Sequence, residues 1–371
     1  MKKVKLTSIC RPKQWKTIPT SELQENGYPV YGANGIIGYY DSYNHEQETV
    51  AITCRGATCG TVNLTQPKSY ITGNAMCLDE VDNSAIEIKF LFYVMQSYDF
   101  TKVISGSAQP QITREGLDKV EIALYPLDLQ KRIVNRLCKV DELIEKHRQQ
   151  LTELDGLIKS RFMELFGTYP VNEKGWLTGT IRDVISEVRY GSSRPAVEDG
   201  QYPYLRMNNI TYGGELDLSD TKRIDIPDNE LEKCTVHRGD VLFNRTNSKE
   251  LVGKTCVYNR DEMMVLAGFV IRVRVNGKVL PEFLAAFLNT DFSKRMLLGM
   301  CKTAIGQANI NAQELQNIGL YIPPIDLQQE FVCFKAQVDK SKHLQYIALC
   351  TYQEAIKIYE QERMSCQILS S

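Results

Sequence analysis

The sequence predicts an α+β protein that is built twice over, with two strand-rich globular domains joined by two long antiparallel helices. Two observations predict this class. A set of identities recurs in the same order at a shift of 198 residues, and each copy ends in a long stretch with apolar residues at helical spacing. The length of 371 residues exceeds that of one ordinary domain and agrees with two or three.

The internal repeat is clearest where each globular domain meets its helix. At a shift of 198 the matched segments are Gln109-Pro-Gln-Ile112 with Gln307-Ala-Asn-Ile310, Pro126 with Pro324, and Asp128-Leu-Gln130 with Asp326-Leu-Gln328. Fainter matches lie upstream, where Val50-Ala-Ile52 leads to Arg55 and Val241-Leu-Phe243 leads to Arg245. The period is longer than the 20–50 residues of solenoid repeats, so it indicates a duplicated domain.

The second half of each copy predicts a long helix. The first apolar stripe comprises Leu137, Val140, Ile144, His147, Leu151, Leu154, Ile158, Phe162 and Leu165. We expect Asp128 to cap the start of this helix and Gly167 to end it. The second stripe, after Asp326, comprises Phe331, Phe334, Val338, Leu344, Ile347, Ala355 and Ile358. Pairing the two helices buries both stripes, and it predicts a pseudo-two-fold arrangement with the globular domains at opposite ends.

The repeat and the two stripes together predict four segments. The first globular domain is expected over residues 1–127 and the central helical spacer over 128–169. The second globular domain is expected over 170–325 and the C-terminal helical spacer over 326–371.

Composition excludes several classes of protein. The net charge of −1 rules out a histone-like protein, although a local basic patch remains compatible with DNA binding. No apolar run approaches the ~20 residues that a membrane-spanning helix needs, and no secretory signal is recognisable. The eleven scattered cysteines, without any C-x-x-C, indicate a reducing cytoplasm and free thiols. The four histidines lack the spacing of metal ligands, so no metal site is expected.

The catalytic motifs that the sequence was searched for are incomplete or missing. Gly253-Lys-Thr255 resembles the end of a phosphate-binding loop, but Ser248 stands where that loop requires glycine. The Asn-Pro-Pro motif of adenine methyltransferases is also missing, since Pro323-Pro324 follows Ile322. The sequence therefore indicates a chain that performs no catalysis by itself.

With these features in place, the chain resembles the specificity (S) subunits of type I restriction-modification systems. The resembling segments are Tyr28-Pro-Val-Tyr-Gly-Ala-Asn-Gly-Ile-Ile-Gly38, Cys54-Arg-Gly-Ala-Thr58, Gly239-Asp-Val-Leu-Phe-Asn-Arg245, Gln307-Ala-Asn-Ile-Asn311 and Ile322-Pro-Pro-Ile-Asp-Leu-Gln328. They span nearly the whole chain in the family's order. One departure is Tyr125-Pro126 in the first copy, where the second has Pro323-Pro324.

The resemblance implies that each globular domain recognises one half of a split site in double-stranded DNA. Because the two domains are otherwise dissimilar, it implies two different half-sites and hence a non-palindromic sequence. It further implies that the helical spacers dock two methyltransferase (modification) subunits, with restriction or translocase subunits as additional partners. S-adenosylmethionine would then bind the methyltransferase partner, and this chain would bind no cofactor.

Candidate DNA-contacting residues are polar side chains on loops, because Arg, Asn and Gln contact base edges while Thr, Ser and Lys contact phosphates. In the first domain they are Tyr31, Asn34, Arg55, Thr58 and Gln109. In the second they are Arg206, Asn208, Asn209, Arg245, Asn247, Ser248, Lys249, Gln307 and Asn309. Structural alternatives stay open: Arg55 and Arg245 as ion-pair partners, Gln109 and Gln307 as braces, and Asn34 as a left-handed turn residue.

Candidate docking residues lie on the first helix stripe and comprise Leu151, Leu154, Ile158 and Phe162. Two other functions stay open beside DNA recognition. One is a helical adaptor whose globular ends bind proteins, and the other is a self-contained methyltransferase or nuclease with an unrecognised motif.

Overall fold

The computed structural model describes residues 2–106, 109–248, 251–304 and 307–364. The chain divides into two compact units, the first formed by residues 1–148 and 346–371 and the second by residues 149–345. Both division points fall inside a long helix, so each unit contains part of each helix. None of the helices in the described ranges is long and apolar enough to cross a membrane.

Over the described part of residues 2–126, the first unit has eleven short strands and two short α-helices ahead of the first long helix. The strands are β1 (Lys2–Lys5), β2 (Arg11–Gln14), β3 (Tyr28–Gly32), β4 (Gly35–Tyr40), β5 (Val50–Thr53), β6 (Val62–Leu64), β7 (Tyr70–Ile71), β8 (Ala75–Asp79), β9 (Ile104–Ser105), β10 (Gln111–Ile112) and β11 (Glu121–Leu124). The helices are α1 (Ile88–Gln96), α2 (Arg114–Leu117) and the long α3 (Leu127–Phe166).

The second unit repeats this element order with additions. Its strands are β12 (Leu177–Thr180), β13 (Ile185–Tyr190), β14 (Tyr202–Leu205), β15 (Lys222–Ile224), β16 (Thr235–Val236), β17 (Val241–Asn244), β18 (Thr246–Asn247), β19 (Thr255–Val257), β20 (Met264–Leu266), β21 (Val270–Val275), β22 (Lys302–Ala304), β23 (Gln307–Asn309) and β24 (Gly319–Ile322). Its helices are α4 (Asp228–Cys234), α5 (Pro281–Leu288), α6 (Asp291–Met300), α7 (Ala312–Gln316) and the long α8 (Ile325–Met364).

The sheets of the two units correspond one to one, which confirms the duplicated α+β class. The order β2-β8-β5-β6 in the first unit matches β13-β21-β17-β19 in the second. The sheet β4-β3-β7 matches β15-β14-β20, to which the second unit adds β16. In both copies the first strand pairs with the strand that precedes the long helix, as β1-β11 and as β12-β24.

Two buried glutamines explain one of the strongest identities of the repeat. Gln130 accepts a hydrogen bond from Glu87 N at 2.9 Å and donates to Tyr125 O at 2.7 Å. Gln328 accepts from Leu280 N at 2.8 Å and donates to Pro323 O at 2.7 Å. Because both side chains are fully buried, each amide satisfies backbone groups that water cannot reach. The same residue therefore joins each long helix to α1 or α5 of its unit.

The long helices α3 and α8 pack against each other in each unit. In the second unit Phe162 lies 5.3 Å from Phe331 between ring centroids, and Asp155 pairs with Lys342 at 2.7 Å. In the first unit the His147 ring stacks on Tyr352 at 5.5 Å. Residue numbers fall along α3 as they rise along α8, so the predicted antiparallel pairing is confirmed.

The ends of the first helix differ slightly from the prediction. The helix begins at Leu127, so Asp128 lies in its first turn and not at the cap. There its carboxylate still faces the positive end of the helix dipole. Gly167 does end the helix, with φ +80° and its N–H bonded to Met163 O at 2.8 Å.

The stripe predicted for α3 is confirmed, because every one of its positions is buried or half-buried. The stripe predicted for α8 is wrong beyond Val338, since Leu344, Ile347, Ala355 and Ile358 are all exposed. The buried or half-buried positions after Val338 are instead Asp339, Lys342, Gln345, Ala348, Leu349, Tyr352, Gln353 and Ile356.

Lys342 can occupy an inward-facing position of α8 because its charge is neutralised inside the fold. Its side chain is 7% exposed and pairs with Asp155 and with Glu215. Burial alone would lower the pKa of Lys342, but the hydrogen bonds to these two carboxylates outweigh burial and raise it. A charged residue thus occupies a position where the helical period required an apolar one.

Candidate nucleic-acid interface

In the second unit, a polar segment follows the buried strand β17 and pairs with a hairpin. After Asn244 the chain continues through Arg245 into β18, where Thr246 faces Asn309 of β23. Ile310 N donates to Arg245 O at 2.9 Å, which extends the pairing by one residue. The fold therefore brings Arg245, Asn247, Gln307 and Asn309 to one three-stranded sheet.

The first unit has the same arrangement at the end of β5. Ile112 N donates to Cys54 O at 3.0 Å, and Gly56 N donates to Pro110 O at 3.2 Å. These bonds hold the segment that carries Arg55 and Thr58 against the β9-β10 hairpin. Arg55, Thr58 and Gln109 are all exposed.

The turn between β3 and β4 adjoins this surface. The hydroxyl of Thr53, at the end of β5, donates to Ala33 O, and Asn34 is the exposed next residue of the turn. The residue with positive φ in this turn is Gly35, at +87°, and not Asn34. The alternative that Asn34 serves as a left-handed turn residue is therefore wrong.

The hydrogen-bonding pattern corrects the match between the two arginines. Ile112 and Ile310 are equivalent in the repeat, and they bond to Cys54 and Arg245 respectively. Arg245 thus corresponds to Cys54, and Arg55 lies one residue further along the chain. Neither arginine pairs with a carboxylate of the described residues, so the ion-pair alternative is not supported for either.

Arg245 is held by groups other than carboxylates. Its guanidinium carbon lies 4.9 Å from the centroid of the Tyr190 ring, and its Nη1 donates to Gly268 O at 3.3 Å. Tyr190 is 43% exposed and Phe269 is 53% exposed. The sequence pattern does not identify these two aromatic residues, because nothing in their local sequence distinguishes them from residues of a buried core.

Three residues predicted to contact DNA have partners within the fold. Tyr31 is 7% exposed, and its hydroxyl accepts from Gln66 N at 3.2 Å. Asn209 is 2% exposed and accepts from Arg206 N at 2.8 Å. The Arg206 guanidinium pairs with Asp220 at 2.9 Å. Burial and pairing thus leave Tyr31, Asn209 and Arg206 less accessible than the exposed candidates.

The remaining predicted residues of the second unit differ in how far they are described. Asn208 and Asn309 are exposed, and Ser248 is half-buried. Asn247 and Gln307 are placed by their strands only. Lys249 lies outside the described residues.

Two lysines lie beside the segment that follows β18. Lys254 Nζ donates to Met207 O at 2.9 Å, and Lys294 Nζ donates to Gly253 O at 2.7 Å. Burial lowers the pKa of both ammonium groups, and it brings that of Lys294 to about 8. Carbonyl oxygens therefore compensate these charges only in part.

The predicted docking residues serve the fold of this chain. Leu151 is 8% exposed and Phe162 is 5% exposed, while Leu154 and Ile158 are half-buried. Phe162 packs against Phe166 and Phe283 within the core of the second unit. The structure thus leaves little apolar surface on these residues for a partner, because the chain itself covers it.

One group of potential metal ligands comes together in the first unit. His45, Cys77 and Asp79 offer ligand atoms that lie within 4.8 Å of one another. However, His45 Nε2 contacts one Asp79 oxygen at 2.9 Å, and Trp15 Nε1 donates to the other at 3.0 Å. Hydrogen bonds already use both oxygens of Asp79, so the cluster is accounted for as a buried polar network.

The fold and the site define a duplicated two-unit protein in which each unit exposes a polar hairpin surface. A family model described as the type I restriction modification DNA specificity domain matches residues 1–155 and again residues 163–345. These two matches cover most of the chain, one for each copy of the repeat. The chain therefore belongs to the type I restriction-modification DNA specificity family.

Individual relatives agree with this family. The chain is 24% identical over 246 residues to the EcoKI specificity subunit of Escherichia coli (strain K12), which covers 62% of this chain and 52% of that protein. It is 29% identical over 116 residues to the EcoprrI specificity subunit of Escherichia coli, covering 31% of this chain and 28% of that protein. The matches thus span about half the length of these curated relatives or less.

Solved structures show the same fold over nearly the whole chain. An S subunit from M. genitalium matches with a TM-score of 0.58 and 15% identity, covering 96% of this chain and 94% of that one. A chain from a study of complex assembly in the type I R-M system matches with a TM-score of 0.56 and 17% identity, covering 96% and 95%. At these identities the likeness concerns the fold.

Proposed function

We propose that this chain is the DNA-recognition subunit of a type I restriction-modification complex. Each unit contacts one half of a bipartite, non-palindromic site in double-stranded DNA. The observation that carries this proposal is the shared backbone arrangement after β5 and β17, beside which the two units present different polar side chains. A common scaffold with different exposed residues is what two half-sites of different sequence require.

The residues that contact the first half-site are Arg55, Thr58 and Gln109, together with Asn34 on the neighbouring turn. Arginine and the amides can contact base edges, and the threonine hydroxyl can contact phosphate. The corresponding surface of the second unit offers Arg245 and Asn309.

Methyl transfer belongs to partner methyltransferase subunits that bind S-adenosylmethionine, and the chain itself is non-catalytic. The exposed apolar row of α8, formed by Leu344, Ile347 and Ile358, is the surface on which we place a partner helix. These side chains are 67%, 51% and 55% exposed, so a partner can bury them without disturbing the fold of this chain.

DNA recognition is tested by co-expressing the chain with its methyltransferase subunit and sequencing the methylated DNA. We expect one bipartite methylated sequence. The triple variant Arg55→Ala, Thr58→Ala, Gln109→Ala should lose or change one half of it. Arg11→Ala is the matched control, because this exposed arginine of β2 pairs with Glu80. It lies opposite Asp79, at the other end of β8 from Ala75, which is the partner of Thr53 at the end of β5.

Three outcomes would contradict the proposal. If the triple variant gives the same methylated sequence as the wild type, the hairpin surface of the first unit takes no part in recognition. Failure of the complex to bind any DNA would favour the protein adaptor. Methylation or cleavage of DNA by the purified chain alone, with S-adenosylmethionine added, would favour a self-contained enzyme.

Partner docking is tested by co-purification of the methyltransferase subunit. The double variant Leu344→Asp, Ile347→Asp places two charges in the apolar row and should abolish the complex while the chain stays folded. Ser341→Asp, at another exposed position of α8, should retain it. Retention of the complex by the double variant would exclude this row as the docking surface.

A further inference from the structure

Arg245 differs from three other arginines of the second unit in its partners. Arg206, Arg238 and Arg274 all pair with carboxylates. Arg245 has no carboxylate partner among the described residues and contacts only a ring and a backbone carbonyl. Its full charge therefore remains available to an incoming acceptor.

The backbone of Arg245 is fixed from both sides. Its N–H donates to Phe269 O at 3.0 Å, and its carbonyl accepts from Ile310 N at 2.9 Å. These bonds attach the residue to the chain before β21 and to the hairpin strand β23. The Cα of Arg245 thus has little freedom to move when DNA binds.

The side chain is fixed as well. The guanidinium lies over Tyr190 at 4.9 Å, and Nη1 donates to Gly268 O. The Tyr190 ring is held in turn, because its hydroxyl accepts from Ala312 N at 2.8 Å. Nε is enclosed by protein, so the terminal nitrogens are the donors that can reach a ligand.

We propose that Arg245 recognises a guanine in the second half-site and that Tyr190 is the residue that positions it. This inference rests on the proposed function. A fixed, planar fork with two terminal nitrogens matches the O6 and N7 acceptors of guanine, which lie side by side in the major groove. A contact to phosphate alone needs no such orientation, because a flexible cation serves it equally well.

The setting supports a base contact over a structural brace. Phe269 and Asn309, on the two segments that bond to the Arg245 backbone, are both exposed, so the arginine lies between residues that can also contact bases. The first unit has Cys54 at the equivalent position, which is fully buried. The proposal therefore concerns the second half-site only, and the first half-site is an internal control.

The experiment measures the base preference of the complex at each position, by selecting DNA from a randomised library with the chain and its methyltransferase subunit. Arg245→Lys keeps the charge and removes the fork. We expect it to lower the preference for guanine at one position of the second half-site by about 10- to 100-fold, with the first half-site unchanged. Arg238→Lys is the matched control. This exposed arginine lies before the start of β17, whereas Arg245 lies after its end, so the two are at opposite ends of the same strand.

The Tyr190 pair tests the positioning role while Arg245 stays in place. Tyr190→Leu removes the ring and should weaken the preference at the same base. Tyr190→Phe keeps the ring under the guanidinium but loses the hydrogen bond from Ala312 N, so it should retain more of the preference for that base than Tyr190→Leu. Because a merely structural tyrosine would change the free energy of unfolding and not one base preference, the base-by-base profile separates the two roles. This pair also answers the question if Arg245→Lys does not fold.

Three results would overturn the inference. In the first, Arg245→Lys leaves every base preference unchanged. In the second, it weakens binding to all sequences equally, which identifies a phosphate contact. In the third, Tyr190→Phe and Tyr190→Leu have the same profile. A wild-type complex that selects no bipartite sequence at all would instead refute the proposed function, so the two failures are distinguishable.

Discussion

Replacing Gln328 by methionine should destabilise the second unit far more than the same change one residue later. Gln328 is fully buried, accepts from Leu280 N at 2.8 Å and donates to Pro323 O at 2.7 Å. Methionine has a similar length and fills the same space, but it cannot serve as either partner. The Leu280 N–H and the Pro323 carbonyl would lose their partner, and the Lys278 carbonyl would lose a longer hydrogen bond of 3.4 Å.

Each buried, unpaired group costs about 1–3 kcal/mol, so the pair should cost about 3 kcal/mol. For a domain of this size, this loss lowers Tm by about 6–12 °C. The assay is thermal unfolding of wild type, Gln328→Met and Gln329→Met. Gln329 is exposed, so its variant should stay within about 0.5 kcal/mol of wild type. Equal shifts for the two variants would refute the bridging role of Gln328.

Three further predictions concern the long helices and one buried lysine. Phe162→Ala should cost about 3–5 kcal/mol in urea unfolding, whereas Leu157→Ala, at a 47% exposed position, should cost less than about 1 kcal/mol; similar costs would place Phe162 outside the core. Gly156→Ala should stabilise α3 by about 0.5–1 kcal/mol, because nothing lies within 4 Å of an added Cβ, and a loss of stability would contradict this. Burial lowers the pKa of Lys294 from 10.5 to about 8, so between these values the unfolded chain binds more protons and stability rises with pH. Lys294→Met should remove about 2 kcal/mol of that rise, measured by urea unfolding at pH 8 and pH 10, and an unchanged rise would exclude Lys294 as its source.

The duplication could be predicted because identical residues make equivalent contacts in the two copies. Gln130 and Gln328 bond to equivalent backbone groups, so neither could change without leaving buried groups unpaired. The α3 stripe was predictable for a similar reason, since its buried positions are almost all apolar. Both signals are local in sequence or periodic, which is why a single sequence reveals them.

The α8 stripe could not be predicted past Val338, because the decisive residue is a lysine. The carboxylates that neutralise Lys342 come from Asp155 and Glu215, both more than 120 residues away in sequence. The helical period would place this position in the interior, but residue type alone assigns a lysine to solvent. The outward-facing Leu344 and Ile347 were consequently assigned to the interior.

The candidate site shows the same limit. Arg206 and Arg245 both follow a buried strand, and residue type alone gives them the same role. The structure separates them, because Arg206 pairs with Asp220 whereas Arg245 lies on Tyr190. Which loop residue remains available for DNA depends on tertiary neighbours, and these are not encoded in the local pattern.

Exchanging one recognition unit tests the central claim most directly. Residues 170–325 are replaced by the corresponding segment of another family member, and the methylated sequence is determined from the complex with the same methyltransferase subunit. If each unit recognises its own half-site, one half of the bipartite sequence changes to that of the donor, and the other half stays the same. A change in both halves, or in neither, would contradict the assignment of one half-site to each unit.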